Sequence, residues 1–120
     1  MKKYTVLVIV SLLVLSAVLY GCSNQEFPTG TFMRTGDRIV EYTEDGTFRF
    51  IWDDEIITEG TYAINGNEIT FKDSLCDEEY AGPATYTWAY ENGALTFKVV
   101  GSDACDGRRS TLVLPWFGPQ

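Results

Sequence analysis

The chain is expected to fold as an all-β protein, an eight-stranded antiparallel up-and-down barrel. Three observations lead there. Short runs place a large apolar side chain at every second position, the spacing that puts one face of a strand into a core. Asp45-Gly46, Asn65-Gly66-Asn67 and Asn92-Gly93 fall between those runs and supply the residues that tight reversals need. After the apolar leader, no stretch keeps a 3.6-residue period long enough to make a helix of consequence. Hairpin spacing throughout favours a closed barrel, which has no exposed edge, over a sandwich.

The strands follow in order. Thr31 to Met33 opens the domain, and Arg38 to Thr43 carries Ile39, Val40 and Tyr42. In Thr47 to Trp52 the rings of Phe48, Phe50 and Trp52 alternate with Thr47, Arg49 and Ile51, which puts Arg49 on the water side. Ile56 to Ile64 brings Tyr62 and Ile64 to one face, and Glu68 to Lys72 does the same with Ile69 and Phe71. Ala84 to Glu91 and Ala94 to Gly101 form a hairpin across Asn92-Gly93, with Tyr86, Trp88 and Tyr90 facing Leu95, Phe97 and Val99. Ser110 to Leu114 is the expected eighth strand. Gly30-Thr31-Phe32, Gly46-Thr47-Phe48, Gly60-Thr61-Tyr62 and Ala84-Thr85-Tyr86 repeat one small, β-branched, aromatic order that suits a bend followed by an inward ring.

Residues 1–21 stand apart. Lys2-Lys3 and the apolar run Val6 to Tyr20 have the layout of a secretory leader. Leu19-Tyr20-Gly21-Cys22 resembles the lipobox of bacterial lipoproteins, with Tyr20 bulkier than the usual residue at its place. The resemblance implies cleavage before Cys22, lipidation of its thiol, and a lipid-anchored protein on the extracytoplasmic side of the cell envelope. Residues 22–29 then make a tether and 30–117 the barrel domain. Loss of the leader removes two lysines and no acid, so net charge goes from −8 to 7 basic against 17 acidic residues, or −10. Such a surface repels nucleic acid. With Cys22 acylated, Cys76 and Cys105 remain as a pair in an oxidising compartment, where a disulfide is the default. Metal ligation is the poorer alternative, since the chain has no histidine and no Cys-x-x-Cys.

The opening Gly30-Thr31-Phe32, the middle segments Asp45-Gly46-Thr47-Phe48, Gly60-Thr61-Tyr62 and Gly66-Asn67-Glu68-Ile69-Thr70-Phe71, and the closing Cys105-Asp106-Gly107-Arg108 with Leu112 and Trp116 resemble the lipocalin-like domains of bacterial exported proteins, within the calycin group. Phe32 stands where lipocalins carry the tryptophan of Gly-x-Trp. The resemblance implies a calycin-type barrel. It also implies a basic residue, Arg108 or Arg109, lying over Phe32 or Trp116 at the closed end.

Two roles are open to such a barrel. Phe48, Phe50, Trp52, Tyr62, Phe71, Tyr86, Trp88, Tyr90 and Phe97 are expected inside. They either fill it or leave a small apolar pocket near one mouth. The residues expected to line a pocket for a small apolar or amphipathic ligand are Trp52, Tyr62, Tyr86, Trp88 and Tyr90, whose phenols could meet a polar end of that ligand. The alternative is an envelope interaction module with a filled interior that contacts another protein. A space of roughly 300 Å³ or more, rimmed by tyrosine hydroxyls, would favour the first role, and a sealed core with an exposed apolar patch beyond roughly a few hundred Å² the second. The clusters Asp53-Asp54-Glu55 and Asp77-Glu78-Glu79 lack calcium-loop spacing and read as solvated loop charge. Without histidine, Ser/His/Asp and Cys/His catalysis is excluded. No cofactor is implied, and the expected role is non-enzymatic.

Overall fold

The structure is a computed structural model that describes residues 25–76, 79 and 81–120; Cys22, the leader, Asp77 and Glu78 lie outside the described residues. Eight antiparallel strands, each paired to its neighbours in sequence, form a closed barrel. They are β1 (Gly30–Arg34), β2 (Arg38–Tyr42), β3 (Thr47–Trp52), β4 (Glu55–Asn65), β5 (Glu68–Asp73), β6 (Ala84–Glu91), β7 (Ala94–Val99) and β8 (Trp116–Phe117). The short β8 closes the ring, pairing Met33 with Phe117 on one side and Leu95 with Trp116 on the other.

The expected eighth strand at Ser110 to Leu114 is a correction. That stretch belongs mostly to a helix, α1 (Asp106–Leu112), and the strand follows it. Local chemistry explains the helix. The side chain of Cys105 caps it by accepting from the Arg108 N–H, Asp106 places an acid in the first turn, and Arg109 a base in the last. Ser110 and Thr111 turn their hydroxyls back to the Gly107 carbonyl instead of paying out into a ladder. Pro115 then blocks any continuation. Seven residues are too few to show a period, so no pattern in the sequence announced it.

The hairpin turns are those the sequence calls for. Asn92 and Gly93 adopt φ of 53° and 78°, both positive as a two-residue reversal requires. Gly60 serves a different need, because β4 passes so close to β5 there that a Cβ would lie 1.9 Å from the Lys72 carbonyl oxygen. Period two holds through most of the sheet. Phe32, Val40, Tyr42, Phe48, Ile69, Phe71, Tyr86, Trp88, Leu95 and Trp116 form one buried cluster. Tyr62, Tyr90 and Phe97 pack against it as partly buried rings. Arg49 faces water and pairs with Glu41 at 2.7 Å.

Trp52 departs from the interior set. It is 48% exposed at the end of β3, where the register with β4 shifts between Phe50 and Ile51, and Arg38 lies over its ring at 4.9 Å. Residues 25–29, expected as tether, lie against the barrel. Phe27 stands edge-on to Tyr42 and Trp88 with centroids 5.2 Å away, and 5.4 Å from Tyr62.

Candidate functional site

The two ends of the barrel are built differently. At one end lie the β2–β3, β4–β5 and β6–β7 turns together with Phe27 and the C-terminal residues. Here rings fill the interior and their polar atoms are held by backbone. Tyr62 donates to the Thr43 carbonyl, Trp88 Nε1 to the Gly66 carbonyl at 3.1 Å, and Tyr90 to the Gly118 carbonyl at 2.6 Å. Burial, with Asp45 and Glu44 nearby, keeps the Tyr62 phenol protonated well above its ordinary range.

The other end is covered by α1, which is fastened in two ways. Cys105, its capping residue, is bonded to Cys76 just beyond β5, with Cα atoms 5.9 Å apart. Arg108 turns inward and is 6% exposed. Its guanidinium grips Asp103 through Nε at 2.8 Å and Nη2 at 2.7 Å, reaches Asp73 through Nη1 at 2.8 Å, and donates to the Gly82 carbonyl. The remaining acceptor sites are also used. Asp103 accepts from the Tyr86 hydroxyl and the Cys105 N–H, and Asp73 from the Thr58 hydroxyl. Among the described residues no buried side-chain nitrogen or oxygen lacks a partner, the condition under which a buried ionic network is tolerated.

The network orders its own protonation. Burial works against charge on Asp103, but hydrogen bonds from Arg108, Tyr86 and Cys105 outweigh it and hold the carboxyl down to about 2. Burial and the Asp103 carboxylate together push the Tyr86 phenol up. A carboxyl ionised more readily in the fold than in the unfolded chain adds stability above its unfolded value of 3.8, and that contribution is lost as pH falls through 2. Unfolding free energy should therefore drop by on the order of 2 kcal/mol between pH 4 and pH 2 through this group. Urea titrations across that range check it: Asp103→Asn should be less stable at pH 5 yet lose less on acidification, and an equal acid loss would contradict the assignment.

Between α1 and the aromatic core lies a cavity of about 380 Å³. Its wall is largely apolar, with Val40, Phe48, Phe50, Phe71, Leu112 and Trp116 among its members, and Tyr42 reaches it from deep in the barrel. Arg34, Arg38, Trp52, Ile57 and Leu75 stand at its rim, and Asp73 and Arg108 form part of one side. Arg34 lies over Trp116 at 4.1 Å and donates to the carbonyls of Thr111, Leu114 and Pro115, tying β1 to the last turn of α1 and the segment that follows it. Burial, followed by Arg38 nearby, lowers the pKa of Arg34.

The ring-covering arginine is thus Arg34, which corrects the expectation for Arg108 and Arg109. Arg108 is captured by two buried carboxylates, and Arg109 pairs with Asp106 at 2.6 Å. The signal for Arg34 was present in the alternation, since it shares the parity of Phe32 on β1. Of the five residues expected to line a pocket, Trp52 borders the cavity. Tyr86 belongs to the Asp103 network beside it, and Tyr62, Trp88 and Tyr90 lie at the opposite end with their polar atoms bonded to backbone. The structure does not gather these five around one space. The residues that do gather there and were not singled out are Tyr42, Arg38, Arg34 and the inner side of α1. No family model, no curated protein and no solved structure matches the chain.

Proposed function

We propose that this chain is an exported, lipid-anchored, non-enzymatic binding protein of the cell envelope that holds a small apolar or amphipathic molecule in the cavity beneath α1. One observation carries the reading: between the ring-packed core and α1 a space of about 380 Å³ remains within largely apolar walls. That volume falls in the range of small-molecule sites. The leader and Cys22 supply the address, as read from the sequence. Gln25 and Phe27 leave the barrel at the end opposite α1, so an anchor at Cys22 would hold the filled end towards the membrane and the cavity away from it.

Trp52, Ile57, Leu75, Val113 and Leu114 are exposed near the cavity end and favour a second reading, a partner protein seated over that end. Native mass spectrometry of the protein taken from its producing cell separates the two. A bound small molecule is the expected result; a bare chain that also fails to bind added apolar compounds would leave only the second reading.

A further inference from the structure

This inference rests on the cavity being a small-molecule site and concerns which class of molecule it takes. Three arginines and one aspartate line the cavity, a positive excess in a chain of net charge −8. Two of the arginines are committed. Arg108 is held by Asp73 and Asp103, and Arg34 by three backbone carbonyls. Arg38, at the rim, has no side-chain hydrogen bond or ion pair among the described residues and only stacks on Trp52.

Deeper in, Tyr42 is 2% exposed, and its hydroxyl makes no hydrogen bond with a described residue. Because no fully buried side-chain oxygen is without a partner, that hydroxyl keeps some accessible surface, and Tyr42 itself lines the cavity. A phenol hydroxyl can both donate and accept, so a ligand atom in the cavity can bond it. Arg38, Val40 and Tyr42 succeed one another on the inner face of β2, charged at the rim, apolar between and hydroxyl-bearing at the inner end. Their ends are separated by four residues of strand, about 13 Å.

We propose that the cavity takes a compact amphiphile carrying one anionic group, held by Arg38 over Trp52 at the rim, and a second polar atom at its far end, met by the Tyr42 hydroxyl. Size narrows the class further. An apolar cavity of about 150 Å³ accommodates benzene, so by proportion this one holds roughly 15 heavy atoms. That suits one medium chain or two fused rings and is too little for a two-chain phospholipid.

The test uses the full-length chain, titrated with decanol, decanoate and 10-hydroxydecanoate and followed by calorimetry and by the emission of Trp52 and Trp116, which border the cavity. A charge-assisted hydrogen bond should make decanoate bind about tenfold or more tighter than decanol. The terminal hydroxyl should add about two- to tenfold more. Arg38→Gln should erase the first difference and leave the second, and Tyr42→Phe the reverse. Neither change removes a hydrogen bond within the protein, so both variants should melt like the parent. Equal binding of decanol and decanoate, or a preference that survives Arg38→Gln, would overturn the anion assignment while leaving the cavity reading intact. A hydroxyl increment that is absent, or that survives Tyr42→Phe, would overturn the inner contact. Failure of all three compounds to bind would overturn the cavity reading itself.

Discussion

Replacing Arg108 with methionine should lower the unfolding free energy by about 3–5 kcal/mol, the usual cost of stripping one partner from a buried ion pair. The reason is what remains behind. Asp73 and Asp103 would stay inside the barrel end, and the groups still bonded to them, the hydroxyls of Thr58 and Tyr86 and the Cys105 N–H, carry no charge. Either a carboxylate stays buried without its cation or it takes up a proton on folding, and both routes cost stability. The charge-neutral triple variant Arg108→Met, Asp73→Asn, Asp103→Asn should recover a substantial part of the loss, because the amides can keep accepting while no ion is left unpaired. Urea unfolding of the three forms measures this. A single variant as stable as the parent would mean that Arg108 is not buried as described.

Replacing both Cys76 and Cys105 with serine should cost about 3–4 kcal/mol, from the closure entropy of a 29-residue separation in the unfolded chain. In a domain of this size that corresponds to a melting temperature lower by more than ten degrees. Serine is a clean choice at position 105. Cys105 caps α1 through its side chain, and serine caps helices well, so the cap is retained while the cross-link is removed. The bond also holds the start of α1 to the chain just past β5, so its loss should loosen the cover of the cavity before it loosens the sheet. Amide exchange in α1 should rise more than exchange in β6 and β7. An unchanged melt would mean that the bond contributes nothing to stability.

The barrel was legible because its evidence is repeated in every strand. Alternation such as Thr85-Tyr86-Thr87-Trp88 can hide its rings in only one way, and Asn92-Gly93 fixes where the chain reverses. α1 was not legible, because a single helical turn or two is governed by caps and tertiary fastening and leaves no period. Arg108 illustrates the same limit. In sequence it is one of two adjacent arginines, and only the approach of Asp73, 35 residues away, and Asp103 makes it the interior one.

The site was half legible for a related reason. Tyrosines and tryptophans in the barrel were natural candidates for a pocket, but parity says only that a ring points inward, not which end of the barrel it occupies. Trp88 and Tyr90 meet backbone carbonyls at the filled end, whereas Tyr42, on a strand with fewer rings, stands under the cavity. The direction in which each side chain leans decides the difference, because Tyr42 closes β2 at the filled end beside Phe27 and still lines the cavity, and alternation does not record that lean.

The central claim is that the space under α1 exists to be occupied. Its most direct test compares, by native mass spectrometry, the chain as extracted from its cell with a Val40→Phe form in which a larger ring enters the cavity wall. The parent should carry a bound small molecule that the filled form lacks, with both forms folded by their melts. If both carry the same mass, or both emerge bare and the parent takes up no added apolar compound, the cavity is not the binding site.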